Sequence, residues 1–237
     1  MDNLTLLTYT HSKTSDIHKA YFDRLAMYFN VNKHIVLCDK PLDYDVTMSV
    51  YDNDDAYYKQ MLNGLEKVES EYVIYSQEDY ILFDKVDVDK LSKLINLLDN
   101  DKNISFIRLI YSGINFAPVD YNNDLIYLIY LKPDDEYYFS TQITIWRVKD
   151  LMEMFSKSKV SRVFDEPMNS KYLMELGKIG LCVKDKNNKV GGHYNSTIYP
   201  YIATAVVKGK WNYSEYAKEL DLIFDTYKID KNIRGIR

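Results

Sequence analysis

Residues 71–83, EYVIYSQEDYILF, decide the fold. The first part, 71–75, is compact, apolar and rich in aromatic and β-branched residues, which suits a strand buried on both faces. It stops at Gln77-Glu78-Asp79, and Tyr80-Ile81-Leu82-Phe83 is apolar again. Two adjacent carboxylates between two apolar pieces are costly unless they are solvated or bind something. At the carboxyl end of a parallel strand they would project into the crevice where such sheets hold ligands. Their hard oxygens suit Mg²⁺ or Mn²⁺. A solvated turn between two strands accounts for the same residues.

Working outward, residues 4–10 read as an opening strand and 16–29 as a helix with Ile17, Tyr21 and Leu25 on one face. A strand follows at 34–38, a short extended piece at 46–50, and an acidic turn that continues as a helix within 51–70. Beyond the acidic pair come a helix at 87–99 and a strand at 104–111. This β-α-β alternation predicts an α/β protein with a mainly parallel central sheet flanked by helices. The second half is more irregular: strands at 125–131 and 140–147, helices at 148–158, 168–178 and 214–227, and a short strand at 179–183. With no repeat and no Pro/Gly/Ser linker, residues 1–237 read as a single domain, with halves 1–111 and 112–237.

Composition narrows the function. The chain has 237 residues, 46% of them hydrophobic, and a formal net charge of −5. That balance argues against a dedicated nucleic-acid binder. No apolar run reaches the roughly 20 residues of a membrane span, and the N-terminus lacks a secretory pattern, so no transmembrane segment and a cytoplasmic setting are expected. Cys38 and Cys182 make no disulfide framework. Eight glycines leave no GxGxxG and no GxxxxGK[ST] loop. The 23 tyrosines fit either AT-rich codon usage or aromatic binding surfaces.

The 71–83 segment resembles the acidic metal-binding motif of glycosyltransferases with the A-type (GT-A) fold, with Glu78-Asp79 in place of the strict Asp-x-Asp. The opening LLTYTHSK at 6–13 is similar to the first strand and loop of these enzymes, which hold the nucleoside. The resemblance implies a nucleotide-sugar site at Thr8, Tyr9, Thr10 and His11, joined by Asp52 or Asp54 from YDNDDAYY at 51–58. It implies a metal, Mn²⁺ or Mg²⁺, on Asp79 with Glu78, completed by His193 of KVGGHYNS at 189–196, where Gly-Gly permits close backbone approach. Lys208 and Lys210 of KGKW would face a diphosphate. In YYFSTQITIWR at 137–147, Gln142 and Trp146 resemble acceptor-site residues, although a Trp there is equally a core residue. Glu166, or Asp165 beside it, resembles the catalytic base of inverting members; both also suit a helix start before Pro167. Asp134, Asp135 and Glu136 are a third option for that role.

Together these resemblances imply transfer of a sugar from a nucleoside-diphosphate donor, UDP by family frequency, to a hydroxyl of a glycan or glycoconjugate acceptor, with inversion. A nucleotidyltransferase would share the sheet and the metal carboxylate, but would carry a Gly-rich basic loop where this chain has LLTYTHSK. A non-catalytic glycan-binding module on the same fold is the other class, and would bind no nucleotide with metal.

Overall fold

The computed structural model describes residues 2–111, 116–121, 128–131, 137–163, 165–183, 189–191 and 193–237. The first half runs β1 (Leu4–Tyr9), a 3₁₀ turn (Ser12–Thr14), α1 (Ser15–Tyr28), β2 (His34–Cys38), β3 (Thr47–Val50), α2 (Tyr57–Leu65), β4 (Tyr72–Gln77), α3 (Val88–Asn100) and β5 (Ile104–Arg108). The second half supplies β6 (Phe116–Tyr121), β7 (Leu128–Leu131), β8 (Thr144–Arg147), α4 (Val148–Ser158), α5 (Glu166–Glu175) and β9 (Ile179–Val183). Two small hairpins, β10 (Lys189–Val190) with β11 (His193–Tyr194) and β12 (Val206–Val207) with β13 (Lys210–Trp211), precede α6 (Tyr213–Tyr227) and α7 (Lys231–Arg234).

Among the described residues the central sheet has nine strands in the order β3-β2-β1-β4-β8-β5-β9-β7-β6. Only β8 and β7 run against the others. The mainly parallel α/β architecture expected from the sequence is therefore present. Parallel pairing sets Tyr9 opposite Gln77, so the loops leaving β1 and β4 emerge side by side. Pro118, which has no N–H to give, lies in the edge strand β6.

Side chains alternate across the sheet and both faces are covered. Leu6, Val36 and Ile74 pack with Ile17, Tyr21 and Leu25 of α1, Leu91 and Leu94 of α3, and Leu220 of α6. Leu7, Leu37, Val73 and Tyr75 pack with Met61 of α2, Leu151 and Phe155 of α4, and Leu173 of α5. No helix among the described residues is long and apolar enough to cross a membrane.

Three local expectations need adjustment. The helix within 51–70 follows its acidic turn, where Asp52 Oδ1 accepts the Asp54 N–H at 2.9 Å, but it ends at Leu65, short of Val68. Residues 80–83 form no strand; Leu82 makes one isolated bridge to Tyr201. The strand expected at 140–147 is shortened to 144–147, since the Thr141 N–H is turned aside to Glu166 and the Ile143 N–H to the Tyr201 hydroxyl.

The inner face holds a buried polar line. Thr8 Oγ1 meets the Tyr21 hydroxyl at 2.7 Å and His34 Nε2 at 2.8 Å. Burial pulls the His34 pKa down to about 4. Because the folded value lies below the unfolded one, this histidine favours the native state above pH ~6.5 and loses that contribution as pH falls towards ~4. Urea unfolding of His34→Gln at pH 4.5 and 7 is expected to show an acid limb shallower by one bound proton than that of the unmodified protein. An unchanged limb would show that His34 is not excluded from protonation in the folded state.

Candidate functional site

Three adjacent parallel strands end side by side at the carboxyl side of the sheet. β1 delivers Thr10 to Ser12, β2 delivers Asp39, and β4 delivers Glu78 and Asp79. This is the place where a doubly wound sheet opens a ligand crevice.

The acidic pair is built in rather than left as a free turn. Burial raises the Glu78 pKa, against the pull of the neighbouring Thr14 and Thr10 hydroxyls and of Arg234. Thr10 is itself held by His18 Nε2 at 2.9 Å. Asp79 Oδ2 accepts the Val206 N–H at 3.4 Å. Burial first, and the neighbouring Glu78 charge second, push the Asp79 carboxyl up to about 8, against the opposing pull of Val206 N–H and Arg234. Two adjacent carboxylates, both raised by burial and one raised further by the other's charge, form a site a divalent cation would relieve. Hard oxygens from one or two carboxylates are the usual protein share of a Mg²⁺ or Mn²⁺ shell. The donor chemistry therefore fits such an ion, with Asp79 and Glu78 as its holders.

The third expected ligand does not join them. Among the described residues no three His, Cys, Asp or Glu side chains converge as a metal set. The His193 pKa is lowered to about 4 by burial and by Arg108, with Glu215 opposing. Gly191 has φ +57°, and a Cβ there would lie 2.1 Å from Glu215 Oε2. Its missing side chain makes room for Glu215, not for a ligand. Gly192 lies outside the described residues.

Lys208 and Lys210 are exposed at the β12–β13 turn, and Val206 of the same hairpin reaches Asp79. Lys208 (φ 51°) and Gly209 (φ 79°) make the tight turn with two left-handed residues that a two-residue hairpin favours. The hairpin that reaches Asp79 through Val206 thus carries two exposed lysines at its turn.

Among the expected nucleoside contacts, Thr8 is spent internally on Tyr21 and His34 and is fully buried, so it is corrected to a core residue. Thr10 is also buried, bonded to His18 Nε2, and acts on the site by pulling the Glu78 pKa down. Tyr9 is partly buried; its ring stacks on Tyr51 at 5.4 Å and 5°, and its hydroxyl donates to Gln60 Oε1 at 2.7 Å. His11 Nδ1 accepts the Lys13 N–H at 3.0 Å and lies 3.4 Å from Asp39. Asp52 and Asp54 are exposed in the turn before α2.

Glu166 is the first residue of α5, and its Oε1 accepts from Thr141 N–H at 2.7 Å and Thr141 Oγ1 at 3.1 Å. Thr141 Oγ1 in turn accepts the hydroxyl of Tyr80, the residue after Asp79. This chain ties Glu166 to the acidic pair. Asp165 instead accepts the Arg162 N–H at 3.3 Å. Asp134, Asp135 and Glu136 lie outside the described residues.

The acceptor residues are corrected. Trp146 is 1% exposed, stacked on Phe106 at 4.2 Å, and cannot present a face to a sugar. Gln142 is buried, donating from Nε2 to Ala203 O at 3.0 Å and accepting the Tyr201 hydroxyl at 2.7 Å. Both pack the sheet that carries the site.

Two residues went unread in the sequence. Asp39 ends apolar β2 as Glu78-Asp79 end β4, so the same signal was there in HIVLCD. Its carboxylate, 3% exposed, accepts Ser12 N–H at 2.6 Å and Ser12 Oγ at 2.8 Å, joining the loops after β1 and β2. Burial works to raise its pKa but is outweighed by these bonds, which hold it below the usual carboxylate range. Arg234 carried no local signal at all.

No protein-family model matches the chain, and no curated protein matches it. Solved structures do resemble it. S. aureus TarS, residues 1–349, matches at TM-score 0.51 and 14% identity over 82% of this chain and 60% of that one. A cytidylyltransferase from Leptospira borgpetersenii matches at TM-score 0.49 and 13% identity over 97% of each chain. The bifunctional IspDF from Campylobacter jejuni matches at TM-score 0.47 and 12% identity; the chain covers 52% of its length and is itself 83% covered. At such identities the likeness is one of fold, and function must be argued from the site.

Proposed function

We propose that this chain transfers a sugar from a nucleoside-diphosphate donor to a hydroxyl of a glycan acceptor, with Asp79 and Glu78 holding Mn²⁺ or Mg²⁺. The observation that carries the reading is the crowded carboxylate pair at the carboxyl end of β4, flanked by a hairpin bearing Lys208 and Lys210. When bound, the ion would supply Lewis-acid stabilisation of the diphosphate. Lys208 and Lys210 place positive charge where negative charge gathers on the leaving group. Tyr9, a partly buried aromatic residue at the end of β1, is the residue suited to the nucleoside base. Glu166, anchored through Oε1, keeps Oε2 for the acceptor hydroxyl and takes its proton as the oxygen attacks the anomeric carbon. Direct displacement inverts that carbon. UDP is the first donor nucleotide to try.

Support for transfer to a sugar hydroxyl over nucleotidyl transfer comes from the loop after β1, which is Tyr9-Thr10-His11-Ser12 with no glycine. Release of pyrophosphate from a nucleoside triphosphate would reverse that preference.

The test is a thermal-shift panel of UDP, GDP, CMP and dTDP, with and without Mn²⁺, on the unmodified protein and Asp79→Ala. At a hundredfold excess over Kd the cognate nucleotide should add about 2.7 kcal/mol, or about 5–10 °C at 2–4 °C per kcal/mol. Asp79→Ala should lose the metal-dependent part while its ligand-free Tm holds or rises, because a repelling carboxylate has been removed. No shift with any nucleotide would overturn the reading.

A further inference from the structure

The last seven residues form a strap over the β12–β13 hairpin. Trp211 N–H donates to Gly235 O at 3.0 Å, Arg237 N–H to Trp211 O at 2.8 Å, and Ser214 N–H to Arg237 O at 2.9 Å. The strap brings Arg234 against the hairpin turn, where Nη1 reaches Gly209 O at 3.4 Å and the guanidinium sits 5.5 Å from the Trp211 ring centre. Across 218 positions of sequence, its Nε and Nη2 grip Asp16 at 3.0 and 2.5 Å. The Arg234 side chain is only 12% exposed, and its charge is felt at both Glu78 and Asp79.

We infer that Arg234 is a diphosphate-binding residue of this site, and that Asp16 is a resident carboxylate which the ligand's phosphate oxygens displace. The inference deepens the proposed function and rests on it for the nucleoside part of the ligand. The guanidinium fork that holds a carboxylate in two parallel bonds holds phosphate oxygens in the same way. Three cations, Lys208, Lys210 and Arg234, then ring one hairpin turn beside an acidic pair. The exchange is inexpensive on the Asp16 side. Asp16 lies in the first turn of α1, where the helix N-terminus favours a negative charge after the arginine has let go. The pair is also partly exposed at Asp16, and such ion pairs contribute little.

The inference separates from a purely structural ion pair by sign. Calorimetric affinities of nucleoside diphosphate, nucleoside monophosphate and inorganic pyrophosphate are to be measured on the unmodified protein, Arg234→Gln, Arg234→Lys and Asp16→Asn. Arg234→Gln should weaken diphosphate and pyrophosphate binding by about 10- to 100-fold while leaving the monophosphate nearly unchanged. Arg234→Lys should fall between. Asp16→Asn, which removes the competitor, should tighten pyrophosphate binding several-fold. If Asp16→Asn and Arg234→Gln both lower Tm and neither changes affinity by ligand class, the pair is structural and the inference is overturned. Nucleotide binding that ignores Arg234 overturns it too, and leaves the proposed function standing. Arg234-dependent pyrophosphate binding without any nucleotide binding keeps Arg234 as the diphosphate residue and removes the nucleotide-sugar reading. Absence of both diphosphate and pyrophosphate binding overturns it.

Discussion

Glu166→Gln is expected to leave the protein folded and to cut turnover by about 10²- to 10⁴-fold, the usual worth of a positioned general base. The amide keeps the oxygen that accepts Thr141 N–H and Oγ1, so α5 and the loop entering β8 stay anchored. What it lacks is a basic oxygen for the acceptor proton. The loss should therefore fall on kcat, with donor KM nearly unchanged. Asp165→Asn should cost far less, because that carboxylate serves the Arg162 N–H at the start of α5. Steady-state kinetics on the two variants decides the matter. Equal, small losses would remove Glu166 from the chemistry and return the search to the acidic residues at 134–136.

Trp146→Ala is expected to destabilise the fold by about 3–5 kcal/mol, against a total stability of about 5–15 kcal/mol for an ordinary protein. The indole is in contact with Phe106 and Phe139 and lies on β8, the strand that joins β4 to β5. Its removal would leave a large cavity in the layer under α4. Trp146→Phe should recover much of the loss by refilling the space. Denaturant unfolding gives the first number. If Trp146→Phe kept its stability yet raised acceptor KM more than tenfold, the ring would be acting on substrate and the packing assignment would be wrong.

Much of the first half was legible because its elements are local. Helix α3 is found at Val88–Asn100, beside the expected 87–99, where Leu91, Leu94 and Leu98 spell one buried face. The strand at 34–38 is likewise where apolar residues place it. The acidic pair was legible as a feature because burying charge is expensive wherever it happens. The acceptor side was not. Along 140–147 polar and apolar residues alternate, which reads as a half-solvated strand, but this sheet is covered on both faces. Gln142 and Trp146 are both buried, one through hydrogen bonds and the other through ring packing. Alternation alone does not distinguish water from a second layer. Thr8 misled in the same way: a hydroxyl near a strand end is equally suited to a ligand or to Tyr21. Arg234 is the extreme case, since its place depends on a strap that pairs with the β12–β13 hairpin and on Asp16, 218 positions away.

The position of β8 has a consequence for synthesis on the ribosome. β4 and β5 emerge early, yet neither pairs with the other; the strand between them ends at Arg147. Until that point the nascent chain carries two apolar strands with open inner edges, the kind of surface that recruits wrong partners. The N-terminal half therefore cannot close its sheet as it is made, and waits for a four-residue piece that arrives dozens of residues later. The inner edges of β4 and β5 stay open through that interval, and β8 acts as the closing stitch.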